Sequence, residues 1–237
     1  MAGTGQPPKA AGTSRQLSAA ATRRALIDAA AELIAERGPQ AASVQAITGH
    51  SRVSRGLIGW HFGSKDQLVV EVVERSMSEI ESALRRAVSA GPAPSFATLS
   101  AAFGATADSI SGRVLVMTLA HVLGHRDNIA AAYARGVGRL VEVAAAVAAR
   151  QEIAEPERTL VASTFVASML GFGLQHALDR ELSPLAGALI GDAFGQLSGN
   201  VSGGPGHGLG HGPGQVPGQA PGQGGPDPGS DRPREGR

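Results

Sequence analysis

Apolar side chains return every three or four residues from Leu26 to Ile34 (Leu26, Ile27, Ala30, Leu33, Ile34), the spacing of one helix face. This helix is expected to start at Ser18 or Thr22, either of whose hydroxyls suits an N-cap, and to end at Arg37 before Gly38 and Pro39. Two short helices follow. Ser43 suits the cap of the first, which turns Val44 and Ile47 inward and ends near His50. After the connection Ser51-Arg52-Val53, Ser54 suits the cap of the second, which runs to about Trp60 with Ile58 inward. Ser64-Lys65-Asp66-Gln67 reads as a capping box. It opens a long helix in which Leu68, Val72, Val73, Met77, Ile80, Leu84 and Val88 hold the period to about Ala90. Further helices are expected at about 95–111, 113–125, 128–151, 155–180 and 183–197, with breaks at Gly112, Arg126-Asp127, Pro156 and Pro184. No segment alternates like a strand, so the fold class is all-α.

Composition divides the 237 residues. From Gly199 to Arg237 glycine and proline dominate, with a Pro-Gly-Gln theme at Pro213, Pro217 and Pro221. Such a segment has too few large apolar side chains to offset the entropy of ordering it, and is expected to be a disordered tail over 199–237. Residues 1–17 are expected to form a flexible arm, 18–65 a helix-turn-helix domain and 66–198 a helical body. The absence of cysteine excludes a disulfide-stapled domain, an iron–sulfur protein and a thiol nucleophile. Thr159 to Leu178 carries no Asp, Glu, Lys or Arg and is long enough to span a bilayer. Its Thr159, Ser163, Thr164, Ser168, Gln175 and His176 favour a buried helix of a soluble, cytoplasmic protein.

The net charge of +1 conceals an asymmetry. Residues 1–65 hold eight Lys/Arg against three Asp/Glu, whereas 66–198 hold ten against fourteen. A basic first third on an acidic body fits contact with a polyanion, and fits chance clustering of solvated arginines equally well.

The residue pattern decides between these. A short helix, a three-residue turn and a second short helix form the arrangement that places one helix in the DNA major groove. The segment 22–68 carries Ile27-Asp28-Ala29-Ala30-Ala31-Glu32-Leu33, Glu36-Arg37-Gly38, Ser43-Val44, Ile47, Val53-Ser54-Arg55-Gly56, His61-Phe62-Gly63-Ser64-Lys65 and Leu68. In these residues it resembles the N-terminal domain of the TetR family of bacterial transcription regulators. The resemblance implies a three-helix DNA-binding domain followed by a helical ligand-binding and dimerisation bundle. It implies that Ser43 meets a phosphate, and that Ser54, Arg55, Gly56 and Leu57 open the recognition helix. Arg55 is the candidate for a guanine edge, Gly56 permits close approach, and His61 and Lys65 contact phosphates.

The chain departs from the family pattern at three positions. Arg52 stands where glycine is usual, Gly59 replaces the usual aromatic with Trp60 next to it, and Gly63 replaces a frequent proline. Trp60 is read as meeting the DNA backbone because Ile58 and Phe62 already supply the inward face. For His61 an interior imidazole remains an equal alternative. Arg15, Arg23 and Arg24 read either as phosphate contacts of the arm or as ordinary surface arginines.

For the body, the resemblance implies a homodimer, a palindromic double-stranded DNA operator and a small-molecule effector, with no cofactor and no membrane. Ser163, Ala167 and Gly171 lie four apart and present small side chains on one face that Leu174 and Leu178 continue; Leu185, Leu189, Ile190, Phe194 and Leu197 add the last helix to a dimeric four-helix bundle, with burial inside one monomer the competing reading. Phe103, Met117, His121, Phe165, Met169, Phe172 and His176 are the candidate effector-cavity residues, with plain core the competing reading of each. His121 and His125 stand four apart, but no third ligand accompanies them and no metal is expected; His207 and His211 in the tail read as weak ligands at most. The alternative to an effector-released repressor is a constitutive helix-turn-helix DNA-binding or protein-interaction module without a small-molecule effector. No nucleophile elbow, phosphate loop or metal signature points to an enzyme.

Overall fold

The computed structural model describes residues 10–91, 93–179 and 183–202. The arm up to residue 9 and the tail from 203 onward, with His207 and His211, lie outside the described residues. Among the described residues there are helices and turns and no strand. The helices are α1 (Ala10–Arg37), α2 (Val44–Ser51), α3 (Gly56–Phe62), α4 (Lys65–Ala90), α5 (Phe96–Gly104), α6 (Ile110–Gly124), α7 (Asn128–Arg150), α8 (Glu157–Leu178) and α9 (Ser183–Ser202), with a 3-10 turn at Pro39–Ala41.

α1 starts well ahead of the expected Ser18 or Thr22. The hydroxyl of Thr22 donates to the carbonyl of Ser18 at 2.9 Å, a bond made inside a helix rather than at its start. The alanine-rich stretch before it has high helix propensity but no apolar stripe, so periodicity did not register it. Ser43 and Ser64 cap as expected, accepting from the amides of Ala46 and Gln67 at 3.1 Å each. Ser54 does not: α3 begins without a side-chain cap, and Leu57 N–H instead donates to the Ser54 carbonyl at 3.1 Å.

Gly112 does not break a helix. The break falls at residues 105–109, and Gly112 lies inside α6, its amide donating to the Ser109 cap at 3.0 Å. A Cβ at Gly112 would stand 2.2 Å from the carbonyl oxygen of Thr106, so the residue is small because the 105–109 turn folds directly over it.

One continuous core runs from Leu26 on α1 to Phe194 on α9. Leu26, Ile34, Ile47 and Leu68 are fully buried between the first four helices, each contributing roughly 1.5–3 kcal/mol. α4 leaves this cluster and enters the body, where it packs along α7; α6 lies across both α1 and α4. The expected boundary at 65/66 therefore coincides with the start of α4 but not with a gap in packing. Gly136 of α7 sets the α4–α7 approach, since a Cβ there would meet Met77 Cγ at 2.3 Å. Arg135–Glu74 and Arg139–Glu81 ion pairs join the same two helices. α8 is long and apolar enough to cross a membrane, but its stripe of Ala162, Phe165, Val166, Met169 and Phe172 is buried in this core.

Candidate nucleic-acid interface

The connection between α2 and α3 turns at Arg52, which ends α2 in the left-handed region (φ 56°, ψ 31°). A non-glycine residue there costs roughly 1 kcal/mol. The turn aims α3 so that its two faces differ. Ile58 and Phe62 are buried, and Leu57 is half-buried against the same core. On the opposite face Ser54, Arg55, Gly56, Gly59 and Trp60 are exposed. Trp60 is 70% exposed, large for an indole, and its ring meets that of His61 edge-on at 4.4 Å. A Cβ at Gly56 or Gly59 would touch nothing within 4 Å, so no packing among the described residues requires either glycine. The helix is bare on this strip, where glycine lets backbone come close to another surface.

The remaining candidates border this strip unevenly. Ser43 is exposed at the start of α2, its oxygen accepting from Ala46 while its hydroxyl hydrogen stays able to donate. His61 is partly exposed at the end of α3. Lys65 is paired with Asp66 at 2.8 Å and lines a 140 Å³ cleft with Pro39, Gln40, His121 and Asp127. Arg23 is partly exposed, its side chain at 42%, with its guanidinium bonded to Glu71 and set over the Phe62 ring. Glu32 of α1 pairs with His50 at the end of α2.

The effector candidates do not converge on one cavity. Phe103, Phe165 and Met169 surround a void of about 10 Å³ with Leu84, Leu99 and Leu140, a space that holds at most one water. Phe172 and His176 instead line an open cleft of about 520 Å³ between α5, α8 and α9, together with Ser100, Asp108 and Asp192. His176 and Asp108 also border a second cleft of about 180 Å³, which reaches Met117 of α6 and Ala35 of α1. The His176 ring nitrogen lies 3.2 Å from Asp108 Oδ1.

His121 belongs to neither cleft. Its Nδ1 accepts from the Gln40 amide and its Nε2–H donates to Asp127, both at 2.8 Å, and its ring stacks on His125 at 4.1 Å. Both nitrogens are thus occupied by protein, and no group of three metal-ligating residues occurs among the described residues. The Asp127 carboxyl is held below the usual range by the Ala130 amide and, against the opposing effect of desolvation, by His121. Sequence reasoning missed the hydroxyls of Thr118 and Tyr133. Both are buried without a hydrogen-bond partner among the described residues, and burial raises the Tyr133 pKa.

On α8 the exposed face carries Leu160, Thr164, Ala167, Gly171, Leu174 and Leu178, alternating in steps of four and three. On α9, Leu189 and Leu197 are exposed. Phe194, expected on the dimer face, is buried against Phe96 and Phe165 of the same chain, and Ile190 is half-buried against the same core. The side chain of Leu185 lies outside the described residues.

Among the described residues, a helix-turn-helix head is joined by one long helix to a helical body. Residues 26–72 match the family model for bacterial regulatory proteins of the tetR family. The match covers the helix-turn-helix head, residues 26–72 of 237, and is a likeness of that segment. An HTH-type transcriptional repressor of Mycobacterium tuberculosis is 50% identical over 50 residues, which are 21% of this chain and 27% of that protein. The chain thus matches about a quarter of the length of its curated relatives. The fold extends further. The reduced form of Escherichia coli NemR superposes over 73% of this chain and 96% of its own, with a TM-score of 0.62 at 20% identity. A TetR-family transcriptional regulator from Streptomyces coelicolor superposes over 84% and 98%, with a TM-score of 0.66 at 16% identity.

Proposed function

We propose that this chain is a cytoplasmic, DNA-binding transcriptional repressor that reads a palindromic operator as a homodimer and leaves it when a small molecule binds the body. The observation that carries this reading is the two-faced α3: Ile58 and Phe62 anchor it, while Arg55, Gly56, Gly59 and Trp60 face outward with no packing partner for an added Cβ at either glycine. A major groove about 12 Å wide takes one such helix, and an arginine near its start is placed for the O6 and N7 of guanine. The repressor assignment draws on the name of the Mycobacterium tuberculosis relative.

The exposed seam of α8 supports the homodimer. Its four-and-three spacing is that of a helix packed on another helix, and Ala167 and Gly171 at its middle permit close approach. Two reading heads on a two-fold axis then address half-sites about 34–36 Å apart. For the effector, the clefts beside His176 offer the space that the filled centre of the body lacks. A molecule in these clefts would bear on α6 and α1, and would shift DNA binding only by its differential affinity for the two arrangements.

The reading is tested by selecting a duplex from a random pool with the full chain and measuring its binding against salt. Salt-sensitive binding to a palindrome is expected; Lys65→Ala is expected to weaken all duplexes alike and to lower the salt slope by about one. Failure to retain any duplex at low salt would refute it.

A further inference from the structure

We infer that Arg23 of α1 is a positioning residue that holds α3 at the angle needed to read DNA, and not a phosphate contact in its own right. The inference rests on the DNA-binding reading above. The Arg23 guanidinium carbon stands 4.9 Å from the centroid of the Phe62 ring, and its Nη2 donates to the carboxylate of Glu71. Phe62 is the last residue of α3 and Glu71 lies near the start of α4. One cation from α1 therefore meets the end of α3 over the Phe62 ring and α4 through the Glu71 carboxylate. A lysine can supply the charge but not the flat face.

α3 depends on such a grip. It is seven residues long, far below the length at which a helix persists by itself, and its start makes no side-chain cap. Among the described residues nothing packs against its two outward glycines, so its orientation is set from behind, through Leu57, Ile58 and Phe62. Arg55 and Trp60 stand on the same rigid turn as Phe62. A rotation of α3 about its axis would move both away from the groove together, whereas a fixed Phe62 ring prevents it. Because the cation is bonded to Glu71 and lies over the Phe62 ring, it bears on α3 from behind even though its side chain is partly exposed.

Trp60 is the only tryptophan of the chain and lies two positions before Phe62, so its fluorescence reports α3 directly. The experiment uses the full chain and Arg23→Ala, Arg23→Lys, Phe62→Leu and the Arg23→Ala/Phe62→Leu pair. It measures Trp60 anisotropy decay without DNA. It also measures binding across a salt series to the palindromic duplex selected by the parent and to a random duplex of equal length. Arg23→Ala is expected to speed local Trp60 depolarisation. It is expected to weaken the selected duplex about tenfold, with the salt slope unchanged and the random duplex little affected. Arg23→Lys recovers part of this loss, Phe62→Leu reproduces it, and the double variant loses no more than either single one. Equal loss on both duplexes with the slope reduced by about one would make Arg23 a phosphate contact and overturn the inference. Unchanged Trp60 depolarisation in Arg23→Ala, or additive losses, would overturn it as well. If Arg23→Ala fails to fold, Arg23→Lys and Phe62→Leu carry the same comparison. A parent that binds no duplex would refute the DNA-binding reading, while the anisotropy comparison still decides whether Arg23 holds α3.

Discussion

The side-chain amide of Gln40 donates to Nδ1 of His121 at 2.8 Å, joining the turn ahead of α2 to the last turns of α6. The other ring nitrogen of His121 holds Asp127, the cap of α7. One nearly buried imidazole thus connects the reading head to two helices of the body.

His121→Ala removes both bonds but leaves the Asp127 cap on the Ala130 amide at 2.9 Å. The variant is expected to fold, to lose about 1–3 kcal/mol of stability, and to exchange the amides of residues 38–41 faster than the parent. Hydrogen exchange by mass spectrometry checks this; unchanged exchange there would show that the turn is held by other contacts.

Acid should weaken the fold through carboxylates whose folded pKa lies below the unfolded one. Asp127 is lowered chiefly by the Ala130 amide, and Glu81 chiefly by Arg85 and then Arg139, with burial opposing in each case. Their stabilising contribution is complete above the ordinary carboxylate range of about 4 and disappears as pH falls through the lowered folded values. Melting temperature against pH is expected to fall below about pH 4, and less steeply in Asp127→Asn, whose amide oxygen still caps α7 but does not titrate. Identical acid slopes in the two proteins would exclude Asp127 from the effect.

Gly136→Ala is expected to destabilise the protein by about 1–3 kcal/mol, since its methyl group would enter the space of Met77 near the backbone of α4. Thermal unfolding measures the loss. Met77→Ala in the same background removes the Cγ and Sδ contacts but keeps the Cβ at 2.8 Å, so it is expected to relieve the overlap in part and the two changes should not add.

The seam of α8 gives a prediction about assembly. Ala167→Glu places a charge in the middle of an exposed face of Leu160, Gly171, Leu174 and Leu178. It is expected to convert a dimer into a monomer in sedimentation and to reduce operator affinity, while leaving helix content unchanged. A variant that remains dimeric would place the interface elsewhere.

The order of helices in the head was legible in the sequence because most of its signals are local, although Ser54 does not cap α3. The stripe from Leu26 to Ile34, the serine caps at positions 43 and 64, and the left-handed turn at Arg52 each depend on residues within a few positions. What was not legible depends on partners far along the chain or on features without a period. Gly112 looked like a helix break because a glycine needed for closeness and one needed for a turn are the same letter; only the Thr106 carbonyl above it distinguishes them. Phe103, Phe165 and Met169 share helical spacing with Phe172 and His176, yet the first three fill the core and the last two border a cleft. Phe194 turned inward because Phe96 and Phe165 offered an aromatic cluster. The early start of α1 escaped notice because alanine gives propensity without amphipathicity.

The central claim is that the outward strip of α3 reads base pairs, and Arg55 is its most exacting residue. The direct measurement is a binding titration of parent and Arg55→Ala against the selected palindrome and its single-base variants at fixed salt. The expected result is a loss of about 1–3 kcal/mol in Arg55→Ala, with discrimination relaxed at one base position in each half-site. An Arg55→Ala protein that binds as tightly as the parent and still discriminates at every position would contradict the account.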